Sequence, residues 1–216
     1  MGGFQSVAQP ITIVGCGPGS SEYLTQAAVR AVGEALYLIG SKRLLALFPE
    51  TEAERVDVGA SVERALAAIE ERRAYGGIAV LVSGDPGICS MAKPVIEKFG
   101  AEHCRVIPGV SSVQLAFARI GEDWYGAKFI SAHDADPALD KETLKGESKI
   151  AVLAGRDAAI EWSAELADTL GDGWRSIVCE DLALENEKIT DLSAAELKGY
   201  KASTMTVVLF IKKESK

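Results

Sequence analysis

Three short segments carry residue types and spacings from which chemistry can be built: Gly15-Cys16-Gly17-Pro18-Gly19, Ser83-Gly84-Asp85-Pro86-Gly87 and Pro108-Gly109-Val110-Ser111-Ser112. The glycines of the first let a ligand approach the backbone closely, because no Cβ stands in the way. It is not a dinucleotide fingerprint. The G-x-G-x-x-G spacing puts Ser20 where a third glycine belongs, and Pro18 removes an N–H that a phosphate would need. The Gly-Lys-Ser/Thr ending of a phosphate-binding loop is missing as well. In the second segment Asp85 can accept hydrogen bonds from ribose hydroxyls or an amino group, or simply close an Asx-type turn. The third brings two hydroxyls, Ser111 and Ser112, to a helix start. Ser111 is expected to cap the helix, which leaves the other hydroxyl for a ligand.

The histidines are His103 and His133. Asp134, Asp136 and Asp140 follow His133 and suggest a cation, but a second nearby histidine and the glycine spacing of a calcium loop are missing. We therefore expect a polar loop and no metal. If His133 acts on a substrate, it does so as a hydrogen-bond donor or proton acceptor. Cys16, Cys89, Cys104 and Cys179 form no C-x-x-C pair and read as small hydrophobes in a reducing compartment.

The three segments share an address, since each follows an apolar, β-branched run: 11–14, 78–82 and 105–107. Helical patterns lie between them, over 25–35 with Thr25 as cap, 61–73 with Ser61 as cap and buried Val62, Leu66 and Ile69, 95–99, and 111–119. A strand is expected at 36–39. Such alternation predicts an open, mostly parallel sheet, in which ligands bind beyond the carboxyl ends of the strands. Residues 121–126 read as a linker. Strands at 128–131, 150–153, 177–179 and 205–211 and a helix over 158–170 then make a second, mixed sheet. The fold class is thus α/β with two lobes, residues 1–122 and 123–216.

Composition narrows the function. With 216 residues, 48% hydrophobic and 25% charged, the chain is neither disordered, nor collagen-like, nor a disulfide scaffold. A net charge of −8 argues against a nucleic-acid binder. The excess acid sits mainly in the second half, which carries −6 of it. No apolar run approaches the roughly 18 residues of a membrane span. The start lacks a signal-peptide layout, and although residues 1–6 match an acylation pattern, no polybasic stretch or second lipid site supports it. We expect a cytoplasmic protein.

In this order and spacing the three segments resemble the tetrapyrrole methylases, which transfer methyl groups from S-adenosylmethionine to corrin and porphyrin precursors. The Gly-Ser-Lys-Arg-Leu-Leu run at 40–45, the helix at 110–119 and Cys179-Glu180-Asp181-Leu182 resemble one branch of that family. That branch methylates C5 of a precorrin-6Y or cobalt-precorrin-7 type intermediate in cobalamin biosynthesis. The resemblance implies S-adenosylmethionine in a cleft between the lobes, a tetrapyrrole substrate and a homodimer. By position it implies that Pro18, Ser83, Gly84, Asp85, Ile88, Ser111 and Ser112, with Ala154 and Leu182 of the second lobe, line the cofactor. Gly17 and Gly19 then face the tetrapyrrole.

A tetrapyrrole substrate is rich in carboxylates, so an acidic protein needs local cations. Lys42 and Arg43 are the first candidates, followed by Arg119 and Arg156. Two departures stand out. Ile88-Cys89 replaces a frequent aromatic, and Ser-Ala-His-Asp-Ala-Asp at 131–136 replaces a Ser-Leu-His-Gly-Arg-like run, losing an arginine that would hold a substrate carboxylate. A C15-methylating domain fused in many relatives lies outside this chain, so a separate protein is expected to supply it. Displacement at a sulfonium needs alignment at about 3–3.5 Å and no catalytic triad. The alternatives are a methyltransferase of the same fold acting on RNA or a translation factor, and a non-catalytic tetrapyrrole-binding subunit.

Overall fold

The structure, a computed structural model, describes residues 9–213. The acylation pattern at 1–6 lies outside them. Two compact units divide the chain after Ser111.

In the first unit five strands run parallel in the order β3-β2-β4-β1-β5. They are β1 (Ile11–Gly15), β2 (Tyr37–Gly40), β3 (Glu54–Asp57), β4 (Ile78–Val82) and β5 (Cys104–Ile107). All five residues of β4 are buried, as an apolar run flanked on both faces must be. Helices α1 (Gln26–Gly33), α2 (Lys42–Leu45), α3 (Val62–Arg72) and α4 (Ala92–Phe99) form the crossovers. Both expected caps are made: Thr25 Oγ1 accepts from Ala28 N at 3.0 Å and Ser61 Oγ from Arg64 N at 3.2 Å. Each is worth about 1 kcal/mol. The face that α3 buries is Ala65, Ala68 and Ile69, while Val62 and Leu66 stay half-buried, which corrects the expected face. Strand β3 escapes a hydrophobic reading because Glu-Arg-Val-Asp is an exposed edge strand.

The second unit opens with α5 (Ser112–Ile120), which packs on the last strand of its sheet. The stretch read as a linker is tied to the same unit, Lys149 Nζ lying 2.6 Å from Asp123 Oδ2. The division therefore falls before α5, whereas the sequence places it after Glu122. Strands β6 (Lys128–Ser131), β7 (Lys149–Leu153), β8 (Trp174–Glu180), β9 (Lys188–Asp191) and β10 (Thr206–Lys212) form the order β6-β7-β10-β8-β9. Only β6 and β7 pair in parallel. Helix α6 (Asp157–Leu170) covers this sheet with Ile160, Trp162 and Leu166 in the core. Short α7 (Ala194–Leu197) is held by a capping box between Ser193 and Glu196. Because β10 runs against both neighbours, Val207 faces Leu153 and Cys179. The carboxyl ends of β6, β7 and β8 thus share one edge with the start of β10.

Candidate functional site

At the carboxyl edge of the first sheet, β4, β1 and β5 are adjacent, so the loops that follow them are neighbours. Their glycines set the spacing. A Cβ on Gly109 would lie 2.4 Å from Gly84 O, and one on Gly15 would lie 2.6 Å from Gly109 N. Only bare backbone lets the three loops close on one another. The first two are also bridged: Gly17 N donates to Gly84 O at 3.3 Å and Gly84 N to Gly17 O at 2.8 Å, both glycines having positive φ. Gly17, Pro18 and Gly19 are buried, Ser83 is exposed and Ile88 is half-buried.

Asp85 joins the remaining pair of loops. Its Oδ1 accepts from Gly87 N at 2.8 Å and its Oδ2 from Gly109 N at 3.1 Å. The sequence offers a turn or a ligand for this carboxylate, and the structure shows the turn plus a second loop held by it. Each oxygen keeps a further lone pair for a hydroxyl. Ser111 is buried and Ser112 begins α5.

Arg43 reaches this edge from α2, and its Nη2 donates to Ser83 Oγ at 3.1 Å. Its Nη1 is buried and meets no acceptor among the described residues. Burial pushes the guanidinium below its ordinary pKa and pushes the buried Cys16 thiol up to about 12. Lys42, one residue earlier, is exposed.

The second unit gathers its own loops at the corresponding edge. After β6, Arg156 spans the loop: its Nε donates to Ala132 O at 2.9 Å and its Nη2 is paired with Asp136. His133 is exposed between these anchors, its ring against Gly155, where a Cβ would lie 2.6 Å from Nδ1. Two of the three carboxylates of this loop have structural roles: Asp136 holds Arg156 and Asp140 caps a 3₁₀ turn through Glu142 N. Ala154 is buried beside Thr206, whose carbonyl accepts from Ala154 N at 2.9 Å.

After β8 the backbone is strained. Asp181 (φ 48°) and Ala183 (φ 66°) are left-handed without being glycine, and Leu182 between them is buried. Side chains hold this turn. Asp181 accepts from Ser203 Oγ at 2.5 Å and from Asn186 Nδ2 at 2.8 Å. Glu187 Oε2 accepts from Ala183 N at 2.7 Å, and Arg119 grips the same carboxylate with Nε at 2.6 Å and Nη2 at 3.2 Å. Arg119, a substrate candidate by sequence, is thus engaged in holding a loop. The guanidinium keeps the Glu187 carboxyl below the usual range. Sequence reasoning missed Glu187, Ser203 and Gly155. The strain at Ala183 leaves no local signal, but Asn186 and Glu187 soon after the expected strand mark a polar turn.

A family model described as Tetrapyrrole (Corrin/Porphyrin) Methylases matches residues 10–198. A cobalt-precorrin-7 C(5)-methyltransferase of Salmonella typhimurium is 35% identical over 201 residues, covering 92% of this chain and 98% of the relative. A probable cobalt-precorrin-7 C(5)-methyltransferase of Methanocaldococcus jannaschii is 30% identical over 208 residues, covering 93% and 97%. Among solved structures, a uroporphyrin-III C-methyl transferase of Thermus thermophilus complexed with S-adenyl homocysteine superposes with a TM-score of 0.75. It is 22% identical, covers 93% of this chain and 91% of its own, and shares the fold.

Proposed function

Because the chain belongs to the tetrapyrrole (corrin/porphyrin) methylase family, we propose that it methylates the C5 carbon of a precorrin or cobalt-precorrin, using S-adenosylmethionine. The observation that carries this reading is the convergence of three glycine-bearing loops on one sheet edge, at the positions where the resemblance puts the methyl donor. The fit is physical: the edge offers bare backbone at Gly17 and Gly84, an acceptor at Asp85 with lone pairs to spare, and a buried donor, Arg43 Nη1, without an acceptor. S-adenosylmethionine supplies, when bound, an electrophilic methyl group on a sulfonium.

The chain's own residues do the rest. Asp85 accepts from ribose hydroxyls while it fixes the loops on either side. The resemblance assigns Pro18, Ser83, Gly84, Ile88, Ser111, Ser112, Ala154 and Leu182 to the cofactor. Gly17, Gly19, Lys42 and Arg43 take the tetrapyrrole side. His133, exposed in the loop whose backbone Arg156 holds at Ala132 O, is the candidate to accept a proton released by the macrocycle. Arg119 acts through the turn it holds. The enzyme works as a cytoplasmic homodimer.

The test is incubation with methyl-labelled S-adenosylmethionine and a corrinoid unmethylated at C5. Label recovered at C5 of the macrocycle is the expected result. Label found only in RNA or protein, or calorimetry that detects no S-adenosylhomocysteine binding, overturns it.

A further inference from the structure

Among the described arginines, Arg30 and Arg105 are exposed to solvent, and the others divide by the partners they find. Arg72, Arg73, Arg119, Arg156 and Arg175 pair with carboxylates. Arg55 and Arg64 donate to main-chain carbonyls. Arg43 does neither: it donates through Nη2 to the neutral hydroxyl of Ser83, and its other terminal nitrogen is buried without an acceptor among the described residues. A buried charged donor with no acceptor is costly, because it has given up water and gained nothing in return. Native structures rarely keep such a group without a use.

The Nη1–Nη2 edge of a guanidinium matches a carboxylate, one oxygen to each nitrogen. In Arg43 one prong carries a hydroxyl and the other carries nothing. Ser83 is exposed and its hydroxyl rotates at little cost. A carboxylate that takes Nη2 from Ser83 therefore gains the whole fork, and Ser83 Oγ can turn from accepting to donating towards the same anion. The neighbourhood favours this charge. Arg43 stands beside Cys16, whose thiol is held neutral by burial, and among the described residues no carboxylate forms an ion pair with it.

From this geometry we infer that Arg43, with Ser83 as its movable companion, is a carboxylate-binding site at the carboxyl edge of the first sheet. The inference rests on the placement of donor and tetrapyrrole at that edge. Two sources supply the same chemistry: the amino-acid end of the methyl donor and an acid side chain of the macrocycle.

Calorimetry on the full chain separates them, with three probes: S-adenosylhomocysteine, 5′-methylthioadenosine, which lacks the carboxylate, and uroporphyrin III, a porphyrin with many. The variants are Arg43→Met and Arg43→Lys, the second keeping the charge without the fork and covering the case in which the first does not fold. We expect Arg43→Met to weaken one carboxylate probe at least tenfold and Arg43→Lys to weaken it less. A loss confined to S-adenosylhomocysteine identifies the donor's carboxylate, and one confined to uroporphyrin identifies the substrate's. Affinities within threefold of wild type for both, or an equal loss for 5′-methylthioadenosine, overturn the inference. A wild-type chain that binds neither carboxylate probe overturns it together with the methyltransferase reading, whereas wild-type binding that Arg43 does not influence overturns the inference alone.

Discussion

Asp85 Oδ2 accepts from Gly109 N at 3.1 Å, so the loop after the central strand is fastened to the loop after the edge strand by one carboxylate oxygen. The other oxygen closes its own turn on Gly87 N at 2.8 Å. Asp85→Asn keeps one acceptor and sets an NH₂ against the remaining N–H. We expect a loss of about 1–3 kcal/mol in stability, read from urea denaturation, with weaker S-adenosylhomocysteine binding. Unchanged denaturation would show that the two loops are held by backbone packing alone.

Gly109 is the position at which a single methyl group should do most damage. Its Cβ would sit 2.4 Å from Gly84 O and 2.8 Å from Gly15 C, all backbone and unable to step aside. Gly109→Ala should separate the loops and abolish S-adenosylhomocysteine binding in calorimetry. Gly33→Ala is the control, since nothing lies within 4 Å of its Cβ at the end of α1. It should gain about 0.4–1 kcal/mol from the smaller entropy of its unfolded chain. Equal behaviour of the two variants would remove close approach as the reason for Gly109.

What the sequence made legible divides along the same physical line. Elements buried on both faces, such as Ile78–Val82, or capped by their own residues, as α1 is by Thr25, announce themselves through hydrophobic period and cap chemistry. So do glycine loops that follow such strands. Edge strands do not: Glu54–Asp57 and Lys188–Asp191 expose most of their side chains and carry no apolar pattern. Partners distant along the chain are illegible for another reason. Nothing near Arg119 points to Glu187, sixty-eight residues away, and nothing near Gly155 shows that it makes room for His133.

The turn after β8 stores strain that one substitution can release. A left-handed conformation costs an L-residue about 1–2 kcal/mol, partly offset in glycine by its larger unfolded entropy. Ala183→Gly should therefore stabilise the protein, by up to about 1 kcal/mol. Asp181→Gly should destabilise it despite the same relief, because the bonds from Ser203 and Asn186 are lost. Thermal melting of the pair checks the contrast, and a gain in both would mean that the Asp181 bonds contribute nothing.

Glu187 makes the same turn sensitive to acid. Hydrogen bonds from Arg119, then from the Ala183 amide, lower its carboxyl pKa in the folded state. A group depressed on folding contributes its full stability above the unfolded value of about 4.3 and loses it as pH falls through the folded value. Glu187→Gln lacks that titration. Denaturation from pH 6 to pH 3 should show wild type the more stable at first, with the gap closing on acidification. A constant gap would assign the difference to packing.

Cysteine reactivity tests the edge of the first sheet from another side. Cys16 is fully buried in the first glycine loop, and burial raises its pKa to about 12, while Cys179 in β8 is raised to about 12 in the same way. At pH 8 their thiolate fraction is then on the order of one in ten thousand, and the reagent has no path to them. Cys89 is exposed in the loop before α4. Treatment of the native protein with iodoacetamide, read by peptide mass spectrometry, should label Cys89 first and Cys16 and Cys179 only after denaturant is added. Early labelling of Cys16 would mean that the glycine loops open far enough to admit solvent, and the close packing of Gly15 on Gly109 could then no longer be what holds the site in shape.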